Sequence, residues 1–147
     1  MEIPSANTDS WYGVKSKYEG YPTILRFRPN LVNFIDNNNY PNLLTIVWEF
    51  KFKDDIGMPN EEQSNDMEYF EDILINLLDP NRIGILSFVY TSAGIREWNY
   101  YINDIDKTIG LITNELANYP KYPIHFKISK DPNWKEFSKL LESYIEP

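Results

Sequence analysis

The chain has 147 residues, with 14 Lys and Arg against 22 Asp and Glu, a formal net charge of -8, no cysteine, and 16% aromatic within 42% hydrophobic residues. The missing cysteines exclude disulfides, thiolate metal ligands and thiol nucleophiles, and the carboxylate excess opposes direct binding of nucleic acid while favouring basic partners. A single domain over residues 1–147 is expected, with an aromatic-rich core able to bury roughly 68–70% of the unfolded chain's surface.

The amino end, MEIPSANTDSW, lacks the basic start and apolar run of a signal peptide, and no apolar stretch reaches membrane-spanning length. A cytoplasmic protein without membrane contact is therefore the expectation. Two extended runs come next, Trp11 to Tyr18 and Thr23 to Arg28, joined through Glu19-Gly20-Tyr21-Pro22 as a hairpin. The Asn-rich stretch from Asp36 to Tyr40 reads as a loop tip. In LLTIVWEFKFK, Leu44, Ile46, Trp48, Phe50 and Phe52 alternate with Thr45, Glu49, Lys51 and Lys53. That period of two predicts a strand with one buried face.

Beyond a turn at Gly57 and Pro59 the period changes. Met67, Phe70, Leu74, Leu77 and Leu78 recur at offsets of three and four, which predicts an amphipathic helix ending near Pro80. Ile83 to Thr91 is apolar on both faces, as a central strand is, and Ala93-Gly94 turns the chain into IREWNYYI. There the alternation puts Arg96, Trp98, Tyr100 and Ile102 on one side and Ile95, Glu97, Asn99 and Tyr101 on the other. The first set is the more apolar and reads as core, with the Arg96 stem along its edge and the guanidinium reaching water or a carboxylate. Asp104 caps a second helix with Ile105, Ile109, Ile112 and Leu116 as its buried stripe. A last strand, YPIHFKIS, points Ile124, Phe126 and Ile128 inward. Asp131-Pro132 then has the cap and first-turn proline of a third helix, which buries Trp134, Phe137, Leu140, Leu141 and Tyr144.

This succession predicts an α+β two-layer sandwich. Its centre is a ferredoxin-like β-α-β-β-α-β core starting at the Leu43 strand, with an N-terminal β-hairpin in front and an added C-terminal helix behind. Helices cover one face of the sheet and the other is wholly or partly open. The charge layout is bipolar: Glu61, Glu62, Asp66, Glu68, Glu71, Asp72 and Asp79 occur without an intervening basic residue, while Arg26, Arg28, Lys51, Lys53, His125 and Lys127 fall at outward strand positions.

Catalytic apparatus is not legible. Glu71 and Asp72 are neighbours, about 100° apart on a helix, and do not converge as an acid and base. His125 is the single histidine, without companions for a metal set, and no nucleophile elbow, P-loop or dinucleotide fingerprint occurs. No catalytic residue, metal or cofactor is therefore assigned, and the predicted activity is non-enzymatic. The ribonucleoprotein aromatic pattern of RNA-binding sheets is also missing.

Trp11, Arg26, Gly57-Met58-Pro59, Glu71-Asp72, Arg96-Glu97-Trp98 with Tyr101, and Asp131-Pro132-Asn133-Trp134 together resemble the bacterial family called domain of unknown function 695. That family is similar in layout to the regulator of ribonuclease activity B, a small acidic ferredoxin-like protein that binds and inhibits a ribonuclease. Domains of this shape also resemble the immunity proteins encoded beside bacterial toxins. The resemblance implies a fold and a binding role and carries over no catalytic residue.

The expected function is thus that of an acidic, non-catalytic protein-binding protein, a toxin-immunity protein or inhibitor that docks electrostatically on a basic partner such as a toxin or nuclease. Glu61, Glu62, Glu68 and Asp72 are the carboxylates expected to meet that partner, with Tyr69 as the anchor. An alternative is regulation of a ribonuclease through a sheet edge carrying Arg96, Glu97 and Tyr101. A small hydrolase whose carboxylates meet only on folding is a third.

Overall fold

The computed structural model describes residues 2–36, 38–53 and 55–145. Its elements are β1 (Tyr12–Tyr18), β2 (Tyr21–Phe27), a 3-10 helix (Pro29–Phe34), β3 (Asn42–Glu49), α1 (Glu61–Leu78), β4 (Gly84–Ser92), β5 (Ile95–Ile102), α2 (Ile105–Leu116), β6 (Ile124–Lys130) and α3 (Lys135–Tyr144). Part of the predicted Asp36 to Tyr40 loop tip lies outside the described residues. Among the described residues, no helix is long and apolar enough to cross a membrane.

The six strands form one sheet in the order β1-β2-β4-β5-β3-β6, and every neighbouring pair is antiparallel. The connection through α1 leaves a gap between β3 and β4 that β5 fills, so β5 is an interior strand. β1 and β6 form the two rims.

β3 is shorter than the alternation of Leu43 to Lys53 predicts. Its pairing with β5 stops where Glu49 meets Ile95, because there β5 has reached its hairpin turn and offers no further backbone. Phe50 then bonds through its N–H to Gly94 O, and Phe52 packs edge-on against Tyr21. At the start of α1, the Asn60 side chain accepts from the Gln63 N–H and the Gln63 side chain accepts from the Asn60 N–H, both at 2.8 Å. This reciprocal pair satisfies two otherwise unpaired donors at the helix end. Asp104 caps α2 as predicted, accepting from the Lys107 N–H at 3.0 Å.

The third helix starts later than the Asp131-Pro132 signal implies. Lys135 is its first residue, and Trp134 before it stands in the left-handed region at φ 52°. Asp131 still serves the helix end from outside it, accepting from the N–H groups of Lys135 and Glu136 at 2.7 and 3.1 Å.

Two cores, not one, flank the sheet. On the first face, α1 and α2 cover Leu44, Ile46, Trp48, Leu86, Val89, Trp98, Tyr100 and Ile102. On the second, α3 and the 3-10 helix cover Leu25, Phe27, Leu43, Ile85 and Tyr101 at one end of the sheet. The expected two-layer sandwich is thus three layers deep at that end, and only the remainder of the second face is open. Ile128, predicted to be buried, is 43% exposed near the end of the β6 rim.

The second core reverses two further expectations. Because Leu25 and Phe27 point under α3, Arg26 and Arg28 point to the first face instead of an open one. Arg28 is completely buried there. It donates to Asp9 Oδ2 at 2.9 Å, to Leu86 O at 2.7 Å and to Pro4 O at 2.6 Å, with the Trp11 ring 5.8 Å away. Each guanidinium nitrogen thereby has a partner, two in the amino-terminal segment and one on β4, which ties that segment to the sheet, and a buried charge without such partners would cost several kcal/mol.

Among the described residues, the Tyr100 hydroxyl is the buried side-chain polar group that lacks a hydrogen-bond partner. Tyr100→Phe is expected to raise stability by about 1 kcal/mol, since it deletes a desolvated group and leaves the ring in place. Chemical denaturation measures this, and a clear loss of stability would contradict it.

Candidate functional site

α1 turns Met67, Phe70, Leu74 and Leu78 into the first core and leaves Glu61, Glu62, Asp66, Glu68, Tyr69 and Asp72 exposed on its outer side. Among the described residues, none of these carboxylates joins an ion pair within 4.0 Å; the acidic partners in such pairs are Glu71, Asp9, Asp79 and Glu136. The outer field of the helix is therefore uncompensated by close contacts. Tyr69 stands among these groups at 58% exposure, its ring 6.1 Å from that of Tyr119 in an edge-to-face arrangement.

Two shallow grooves flank this tyrosine pair. One, of about 370 Å³, runs between α1 and α2 past Tyr69, Asp72, Asn76, Glu115 and Tyr119. The second, of about 460 Å³, continues from Tyr119 to Leu116, Tyr122, Ile124 and Phe126. Burial pushes the Tyr122 hydroxyl up from its ordinary pKa, and Tyr69, Tyr119 and Asp66 add to the effect. The result is an apolar floor with tyrosines along it and carboxylates at its border. Sequence periodicity finds Tyr69 and the acidic run, but misses Glu115, Tyr119 and Tyr122. The aromatic and proline content of Tyr119-Pro120-Lys121-Tyr122-Pro123 is the available signal, and it gives no hint that these rings meet α1.

The second predicted cluster, Arg96, Glu97 and Tyr101, is not brought together at a sheet edge. β5 is interior, and Arg96 and Glu97 project from opposite faces of it. Arg96 Nε donates to Thr91 Oγ1 at 2.8 Å. Burial lowers its pKa and the nearby Arg26 lowers it further, while Glu71 and Glu68 act in the opposite sense. Glu71 itself is not a free surface carboxylate, because its Oε1 accepts from Arg26 Nη2 at 2.7 Å and from Trp98 Nε1 at 2.8 Å.

Tyr101 is completely buried under α3. Its ring stacks on Trp134 with centroids 4.3 Å apart and planes 8° from parallel. The hydroxyl donates to Asp131 Oδ2 at 2.7 Å and accepts from the Phe137 N–H at 3.3 Å. Burial and then the Asp131 hydrogen bond push its pKa far up, so it is a neutral donor at any physiological pH. Tyr101 cannot touch a partner while the fold is intact.

Several of the motif residues therefore do interior work. Trp11 lies over Arg26, Glu71 joins Arg26 to Trp98, and Tyr101, Asp131 and Trp134 fasten α3. Gly57, at φ 74°, lies so close to the β4–β5 turn that a Cβ there would come within 2.9 Å of Ala93 Cα. A left-handed residue at such an approach has to be glycine. Among the described residues, no group of three or more His, Cys, Asp or Glu side chains is arranged to hold a metal ion.

A six-stranded antiparallel sheet with helices on both faces defines a mixed α+β protein. The chain belongs to the family of unknown function DUF695, whose model matches residues 9–141. No curated protein and no solved structure matches it.

Tyr101→Phe is expected to lower stability by about 1–2 kcal/mol, because it leaves Asp131 and the Phe137 N–H without their shared partner; urea denaturation midpoints measure the loss. Glu97 behaves oppositely. Burial raises its pKa, with Lys127 and His125 pulling the other way, so only in the pH window between the ordinary and the raised value does the native state hold a proton that the unfolded chain has released. Stability then rises as pH falls from the raised value toward the ordinary carboxylate range, and Glu97→Gln is more stable than wild type at neutral pH. Denaturation midpoints of the two proteins at neutral and acidic pH should converge in acid.

Proposed function

We propose that this protein is a non-catalytic, acidic protein-binding protein of the bacterial cytoplasm, a toxin-immunity protein or inhibitor that docks α1 against a basic surface of a toxin or nuclease. The carrying observation is the group Glu61, Glu62, Asp66, Glu68 and Asp72, exposed and without ion pairs among the described residues, around the exposed ring of Tyr69. Carboxylates of one sign accelerate encounter with a basic partner, and partly exposed tyrosines next to an apolar groove provide the anchors that slow its departure. The grooves on either side of Tyr119 extend this surface past the helix itself.

The same reading takes the β3-α1-β4-β5-α2-β6 segment as a ferredoxin-like unit, supported by the strand order β4-β5-β3-β6 with two helices on one face. The β1–β2 hairpin extends that sheet and α3 is added behind it. Inhibition of a ribonuclease, as by the regulator that this family resembles in layout, is a second reading. It would use the same α1 surface, since Tyr101 is buried and β5 has no free edge.

Glu62→Lys combined with Asp72→Lys provides the test. Wild type and variant, used as paired baits for a lysate of the host, are expected to differ in one retained basic protein. Stopped-flow association with that protein at low salt is expected to slow roughly tenfold in the variant and to lose most of its salt dependence. Equal rates and equal salt dependence would eliminate α1 as the docking surface.

A further inference from the structure

On the second face of the sheet, beyond the part covered by α3, lies a groove of about 330 Å³ that the acidic helix does not touch. Its floor is made by β2, β4 and β5, and its sides by β1 and the carboxyl end of α3. Four aromatic rings line it: Tyr18 from β1, Phe88 and Tyr90 from β4, and Tyr144 from α3. Phe88 and Tyr90 are half-buried, whereas Tyr18 and Tyr144 are 63% and 39% exposed and stand at the opening.

A single carboxylate, Glu97, lines the same groove, opposite Tyr90 across the β4–β5 pair. Among the described residues, no hydrogen bond or ion pair engages its side chain, although it is half-buried. Lys127 and His125 on β6 act on it from a distance, and neither comes within ion-pair range. Lys17 also borders the groove, but alternation along β1 directs its side chain to the opposite face from Ser16 and Tyr18.

We infer that this groove binds a small organic cation with an apolar body, such as an alkylammonium compound, whose charged head meets Glu97 and whose body lies along Phe88, Tyr90 and Tyr144. The chemistry of the walls selects that class. Electron-rich ring faces attract ammonium groups, with the strongest effect where water is excluded. A neutral or anionic ligand that closed the groove would strand an ionised carboxylate away from water without a partner, which is costly. A volume near 300 Å³ suits one small molecule and is at the low end of ligand cavities. Because the groove and α1 lie on opposite faces, the site stands independently of the proposed docking surface.

Hexyltrimethylammonium is the probe, with hexanoate as its anionic counterpart, each titrated into the isotopically labelled full-length protein and followed by amide chemical shifts. The expected result is saturable shifts at Thr23, Tyr90 and Glu97 with the cation and none there with hexanoate. Glu97→Gln, expected to fold at least as well as wild type, should bind the cation roughly tenfold more weakly. Tyr144→Ala, which removes an exposed wall, should weaken it as well. Shifts that do not saturate, shifts centred on α1, equal binding of hexanoate, or undiminished binding by Glu97→Gln would each overturn the assignment.

Discussion

β5 lies between β4 and β3 with hydrophobic layers on both of its faces, so adjacent residues of one strand must satisfy two different cores. Trp98, Tyr100 and Ile102 pack under α1 and α2, while Tyr101 faces the other way and stacks under α3. This double burial draws polar atoms into the interior: Trp98 takes one oxygen of Glu71 and Tyr101 takes Asp131, while the Tyr100 hydroxyl is left without a partner. It also requires α3 to cover what would otherwise be an open sheet, and the Tyr101–Asp131–Trp134 contacts hold it there.

Element identity is largely legible in the sequence because it depends on local period. Leu44, Ile46 and Trp48 alternate as a half-buried strand must, and Met67, Phe70, Leu74 and Leu78 share one side of a helix. Layering is not legible, because alternation separates two faces and says nothing about whether the second is wet. Under the assumption of one core, Leu25 and Phe27 point inward and Arg26 and Arg28 outward. With two cores the apolar pair sits beneath α3, and Arg28 is enclosed by carbonyls and Asp9. The same assumption puts Tyr101 on the surface when it belongs to the second core. The start of α3 eludes cap rules because Asp131 reaches the helix end from four residues before Lys135, with Trp134 in a left-handed conformation between them.

The surface divides along the same lines. Of the residues that resemble the family's motif, Trp11, Arg26, Glu71 and Trp134 are committed to internal contacts and mark how the molecule is built, whereas Asp72 and Glu97 line surface grooves. Tyr69, Tyr119, Asp72 and Glu115 line one groove beside α1 and α2, and the aromatic groove around Glu97 lies on the reverse side. Meeting of Tyr69 with Tyr119 depends on how α1 packs beside α2, a tertiary relation that no window of the chain encodes.

The two rims of the sheet carry their own consequence. Unpaired strand backbone invites another chain to add on, and here the inviting strands bear Lys15 and Lys17 on β1 and Lys127 and Lys130 on β6. A second copy aligning along either rim would set ammonium against ammonium. Self-assembly by strand addition is thereby discouraged, and the unbroken acidic run of α1 adds a like-charge repulsion between copies.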